Sequence, residues 1–137
     1  MFPKDNPESW QQIYQFIDRF PDDAYWSVWE PMVRKVVVEL EKHGLSEFFR
    51  IGQGMHQIIF STLDQHVLES EPRVTLEFSP KEQTMRVAYS YALLYFHEPL
   101  SEETVSIDLA TQSTINYLRR LWIETKPEIQ IPDALNP

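Results

Sequence analysis

Apolar residues near the beginning of the chain recur every three or four positions, the spacing of one helix face. A first helix is predicted to begin at Asn6-Pro7-Glu8, where Asn can cap, Pro suits the first turn and Glu faces the positive end of the helix dipole. Pro21 is expected to end it. Its apolar face consists of Trp10, Ile13, Tyr14, Ile17 and Phe20.

A second helical pattern follows Asp22-Asp23 and continues to Gly44, a glycine suited to a left-handed helix end. Pro31 lies inside this pattern. Because proline removes a backbone donor and clashes with the preceding turn, we expect a kink there or two helices that meet near Glu30. Three consecutive valines at 36–38 leave a β-strand as the alternative. The surrounding charges and Gly44 favour the helix.

In the central part of the chain, the sequence pattern does not decide between helix and strand. Gly52-Gln53-Gly54 contains two of the three glycines in the chain and predicts a turn or a backbone hinge. Residues 55–67 fit a helix, although 56–60 would equally form a strand beside 48–51. The helix is the interpretation that we favour.

Strands are clearer further along the chain. Apolar and polar residues alternate at 73–78 and at 85–95, which predicts two strands, and the polar link at 79–83 makes them an antiparallel hairpin. Glu98-Pro99 is expected to end the sheet. Ser101-Glu102-Glu103 is then interpreted as a helix start or a polar turn.

The last apolar periodicity begins after Asp108, a potential cap, and ends before Lys126-Pro127. Residues 1–5 and 128–137 are expected to be extended termini. The predicted fold is a single α+β domain over 1–137, with two N-terminal helices, a small mainly antiparallel sheet and a C-terminal helix packed on that sheet.

Composition and charge restrict the function. The chain has 137 residues, of which 42% are hydrophobic, enough for one core. Twelve Lys and Arg against 21 Asp and Glu give a net charge of -9, which disfavours nucleic acid and anionic lipid as ligands and favours a basic protein as partner. No apolar stretch approaches the roughly 20 residues that cross a bilayer, and no secretory leader is recognised, so a cytoplasmic location is expected.

Reactive motifs are sparse in this sequence. The chain has no cysteine, no phosphate-binding glycine loop, no nucleophile elbow and no zinc-binding histidine pair of the HExxH kind. The histidines lack the spacing of a metal site, and we predict no metal and no cofactor. They are His43, His56, His66 and His97. The acidic pairs Asp22-Asp23 and Glu102-Glu103 are interpreted as helix-start charges rather than as catalytic acids.

Two groups of residues remain as candidate sites. A pocket for a small ligand is predicted between the 52–56 connection and the 89–97 strand, lined by Gly52, Gly54, His56, Tyr91 and His97. The alternative is that the two glycines only allow a sharp turn of the backbone and bind no ligand. A protein-binding face is predicted around Tyr25, Trp26 and Trp29, where aromatic surface exceeds what one core would cover.

The leading functional hypothesis is a non-catalytic, acidic protein-binding module of the adaptor, chaperone or inhibitor type, with a basic protein as partner. The alternative is a small-ligand-binding protein or an enzyme that uses the predicted pocket. Self-assembly through the aromatic helices is a third hypothesis.

Overall fold

A computed structural model describes residues 6–19, 26–54, 57–62, 72–91 and 99–135. Three α-helices and five β-strands lie in these ranges. The helices are α1 (Asn6–Ile17), α2 (Glu30–Lys42) and α3 (Ala110–Thr125). The strands are β1 (Arg50–Gly54), β2 (Gln57–Ser61), β3 (Pro72–Ser79), β4 (Thr84–Tyr91) and β5 (Ser101–Ser106).

The five strands form one antiparallel sheet in the order β1-β2-β3-β4-β5, so each strand pairs with its neighbours in the chain. The predicted hairpin is confirmed as β3 and β4, with Val74 opposite Tyr89 and Leu76 opposite Val87. The α+β class is confirmed as well, because α3 packs on the strands. Among the described residues, β1 and β5 are the two edge strands of this sheet.

The sheet has two different faces because successive side chains of a strand point to opposite sides. The helix face meets the helices, as the contact between the Trp10 and Phe60 rings shows (6.0 Å between centroids). It is apolar and almost completely buried. The outer face carries polar side chains such as Glu77 and Arg86. One hydrophobic core is formed by the described helices and strands, and its sheet residues include Ile51, Ile58, Phe60, Val74, Leu76, Val87 and Tyr89.

The second helical pattern is divided as predicted. A 3-10 turn at Trp26–Val28 precedes α2, which starts at Glu30 with Pro31 in its first turn, where proline costs no hydrogen bond. The valines at 36–38 are helical, so the strand alternative is wrong. Gly44 follows the helix with φ +82°, and its amide donates to the carbonyl of Glu41 (2.8 Å), which confirms the left-handed helix end.

The prediction of a turn at Gly52-Gln53-Gly54 is wrong. These residues belong to β1, where Gly52 pairs with Ile59 and Gly54 with Gln57. The helix that we favoured for 55–67 is also wrong for the residues of β2, which form a strand as the alternative predicted. Ile58 and Phe60 of this strand are buried on the side of the sheet that meets the helices. Pairing with neighbouring strands overrides the local preference of both segments. The rest of the favoured helix, at 55–56 and from 63 onward, lies outside the described residues.

The sheet does not end at Glu98-Pro99, because β5 follows as a fifth strand. Its polar sequence, with Glu102 and Glu103 at the centre, reflects an exposed edge position rather than a turn or a helix start. The predicted C-terminal helix is confirmed as α3. Asp108 lies in a 3-10 turn before it and does not cap it. Beyond α3, another 3-10 turn at Asp133–Leu135 returns the buried Leu135 side chain to the core.

Candidate functional site

The predicted ligand residues are spread across the sheet. Gly52 and Gly54 lie on β1, whereas the half-buried Tyr91 ends β4, with β2 and β3 in between. Three strand spacings separate β1 from β4 by about 14 Å. His56 and His97 lie outside the described residues. The described residues of this site thus lie on separate strands, and the predicted pocket stays a prediction.

The predicted aromatic binding face is described only in part. Trp29 is half-buried and packs against the core. Trp26 has a described backbone in the 3-10 turn but no described side chain, and Tyr25 lies outside the described ranges. The binding face therefore stays a prediction. The large apolar side chains that are exposed in the described ranges are all aliphatic, namely Val28, Leu100, Leu109, Ile123 and Ile129.

Helix α1 runs beside the free edge of β1 and bonds to its backbone. Side chains of α1 bond to one amide of β1, that of Ile51, and to two carbonyls in the segment just before this strand. The bonds run from Asn6 Nδ2 to the Glu47 carbonyl (3.3 Å), from Trp10 Nε1 to the Phe49 carbonyl (2.9 Å) and from the Ile51 amide to Ser9 Oγ (3.0 Å). This helix takes the place of an edge strand and protects the β1 edge.

A groove lies where this protection ends, and we call it the edge groove. Its rim is polar and consists of Gln12, Gln15, Arg19 and Gln53, and its floor is apolar, from Ile13, Phe16 and Ile51. Gly52 and Ser9 complete the lining. Its volume is about 390 Å³, within the range of small-ligand sites. The structure thus places one predicted ligand residue, Gly52, at a cavity.

At the opposite edge of the sheet, no strand in the described ranges pairs with the outer side of β5. All six residues of β5, which we call the acidic edge, are exposed or half-buried. The Ile107 amide donates to the Gln83 carbonyl of the neighbouring chain segment (3.0 Å). Because peptide groups alternate sides along a strand, those of Glu103 and Val105 also face β4. The peptide groups of residues 102, 104 and 106 consequently face away from the sheet.

A row of polar side chains crosses the outer face and ends at the acidic edge. Gln57 Nε2 donates to Glu77 Oε1 (2.6 Å), and Arg86 lies between Glu77 (3.1 Å) and Glu102. Charges therefore alternate from β3 to β5 as negative, positive and negative. Glu103 points to the helix face, where its carboxylate accepts a hydrogen bond from Ser113 Oγ. The row ends on a negative charge where the sheet ends.

Another group of polar side chains lies between β4 and α3. The buried Tyr89 hydroxyl donates to Glu124, and the Arg120 guanidinium lies 4.2 Å from the centre of the Tyr89 ring. Arg120 Nε is 3.3 Å from the Glu124 carboxylate. Burial raises the pKa of Tyr89, and the Glu124 carboxylate raises it further. The hydroxyl consequently stays protonated at neutral pH, and Arg120 is held by this cluster.

Buried charge marks the outer face near β1. Arg50 is completely buried, opposite Ser61 of β2, which is also buried. Arginine is rarely buried unless its charge is satisfied, so we assign Arg50 a structural role.

Within the part of the chain that the structure describes, no three His, Asp or Glu side chains come together in a way that would hold a metal ion. None of the described helices has the length and apolar character required to cross a bilayer.

No sequence pattern predicted the acidic edge, because an exposed edge strand carries no apolar alternation. The neighbouring β-branched residues Thr104 and Val105 were the only local signal for a strand. The edge groove was missed because it depends on how α1 packs beside β1. Comparisons with protein-family models, with curated proteins and with solved structures find no match.

Proposed function

We propose that the chain is a non-catalytic, acidic protein-binding module, and that its partner adds a basic, extended segment to the sheet at β5. The observation that carries the proposal is the acidic edge, a strand of exposed and half-buried residues whose peptide groups at 102, 104 and 106 face away from β4. An extended peptide gains main-chain hydrogen bonds from such an edge, and its alternate side chains supply specificity.

Charge favours a basic segment over other extended segments. The alternating row on the outer face ends at Glu102, so a Lys or Arg on an added strand would continue the alternation. Glu103 and Asp108 add negative charge nearby. The net charge of -9 attracts cations at long range and raises the association rate. A cytoplasmic location belongs to the proposal and is tested by fractionating host cells.

Two capped heptapeptides test the proposal, one in which lysine alternates with threonine and one in which glutamate replaces the lysines. We expect the lysine peptide to bind at low salt and to bind at least tenfold more tightly than the glutamate peptide. Its affinity is expected to fall as salt rises, because surface charge pairs are screened. Fluorescence anisotropy gives the affinities, and backbone amide shifts locate the binding.

A proline at residue 104 separates edge pairing from simple charge attraction. Thr104→Pro removes an outward amide without removing a bond to β4, so the fold is expected to persist and lysine-peptide binding to fall at least fivefold. The matched control is Thr104→Ser, which keeps the amide and the affinity. Equal binding by both variants, or equal binding of the two peptides, contradicts the proposal. Circular dichroism confirms that each variant is folded.

A further inference from the structure

The protection of β1 by α1 decides what the edge groove can accept. The Ile51 amide already donates a hydrogen bond to Ser9 Oγ, and the Phe49 carbonyl already accepts one from Trp10 Nε1. An added strand therefore cannot continue along this edge. The peptide group of Gln53, which alternation places on the same side as that of Ile51, borders the groove. The geometry thus favours a small molecule over an extended segment.

The lining of the groove defines the chemistry of such a molecule. The side-chain amides of Gln12, Gln15 and Gln53 both donate and accept hydrogen bonds. Arg19 is exposed at the rim, and no ion pair joins it to another residue in the described ranges. Its neighbour Asp18 is paired with Arg34 instead (2.7 Å).

We propose that the edge groove binds a small organic acid of the N-acyl amino acid class. The carboxylate pairs with the Arg19 guanidinium, a charge-assisted contact suited to carboxylates. The acyl amide bonds to the glutamine side chains and to the Gln53 peptide group. An apolar side chain rests on Phe16 and Ile13. The site lies on the opposite edge of the sheet from β5, so its test is independent of the proposed partner.

The test titrates isotope-labelled protein with N-acetyl-phenylalanine and follows the backbone amides and the Arg19 Nε signal by NMR. We expect saturable shifts at Gln53 and Arg19. N-acetyl-phenylalanine amide, which lacks the carboxylate, is expected to bind at least fivefold more weakly. The same loss is expected for Arg19→Gln, whereas Arg119→Gln, a matched change on an exposed residue of α3, keeps the affinity.

Three outcomes overturn the assignment. The first is the absence of saturable shifts at the groove. The second is equal binding of the acid and its amide, or an unchanged affinity in Arg19→Gln. The third concerns the source of the carboxylate. If an octapeptide ending in phenylalanine binds more than tenfold more tightly than N-acetyl-phenylalanine, the ligand is a protein C-terminus. If acetate binds as well as N-acetyl-phenylalanine, the carboxylate alone is the ligand.

Discussion

At the scale of single residues, hydroxyl groups stabilise many of the carboxylates. Four described glutamates accept a hydrogen bond from a hydroxyl group, and two of these are bonded by a tyrosine. Two of the four, Glu39 and Glu124, are also paired with a basic residue, whereas no ion pair is found for Glu41 and Glu103 among the described residues, so a hydroxyl supplies the donor there. The pairs are Tyr14 with Glu41, Tyr89 with Glu124, Thr111 with Glu39 and Ser113 with Glu103.

The tyrosine bonds predict a loss of stability in alkali. Burial and Glu41 raise the pKa of Tyr14 to about 12, and the pKa of Tyr89 is also raised. An unfolded tyrosine loses its proton near pH 10, so the folded chain binds more protons above that pH. Both bonds contribute fully below about pH 10, and their contribution falls as the pH rises through the folded pKa values.

Tyr89→Phe tests this expectation at the buried hydroxyl. We expect a cost of about 1 kcal/mol near pH 7, from the lost hydrogen bond to Glu124. Above pH 10, the difference between wild type and variant is expected to shrink, because only the wild type loses this contribution. Urea unfolding at pH 7, 9, 10 and 11 measures it. A difference that stays constant over this range would show that Tyr89 does not titrate as described.

At the scale of elements, α1 serves the sheet as well as the core. Its apolar face packs inward as the three-and-four spacing predicts, with Trp10, Ile13 and Ile17 buried. Its polar residues bond to the β1 backbone, which no periodicity predicts. Ser9 is central to this arrangement, because its hydroxyl accepts from the Ile51 amide and donates to the Asn6 carbonyl (2.6 Å).

Ser9→Ala tests whether α1 protects the strand edge. The Ile51 amide would lose its acceptor in a buried position, and we expect a cost of about 1–3 kcal/mol. Gln11→Ala is the matched control on the exposed side of α1 and is expected to cost less than about 0.5 kcal/mol. Urea unfolding gives both values. If the two substitutions cost the same, the hydroxyl bond is not what protects this edge.

At the scale of the whole molecule, the described part of the sheet has one edge protected by a helix and one edge, β5, with no described strand beside it. All residues of the acidic edge are exposed or half-buried, whereas α1 covers β1 up to Ile51. Natural sheets often carry charge on open edges, which discourages unwanted pairing. Glu102 and Glu103 suit that role and would also select a basic partner.

Hydrogen exchange in the folded protein tests the orientation of both edges. We expect the amides of Glu103 and Val105 to be protected by β4, and those of Glu102 and Thr104 to exchange quickly. On β1, Gln53 is expected to exchange faster than Gly52, which pairs with β2. NMR-detected exchange resolves each amide. Equal protection of Thr104 and Val105 would contradict the alternation on which the acidic edge depends.

Sequence alone determined those elements whose signal is local. The apolar spacing of α1, α2 and α3, the break before Pro31, the left-handed Gly44 and the β3–β4 hairpin each follow from residues close together in the chain. The acidic balance that favours a basic partner is likewise a property of composition.

Tertiary structure alone decided β1, β2, β5 and both candidate sites. Glycines at 52 and 54 became extended because Ile59 and Gln57 pair with them, and the polar residues 101–106 became a strand because β4 offered an unpaired edge. The edge groove exists only because α1 packs beside β1. Strand pairing and helix docking bring distant segments together, and the free energy that they contribute outweighs the weak local preferences visible in the sequence.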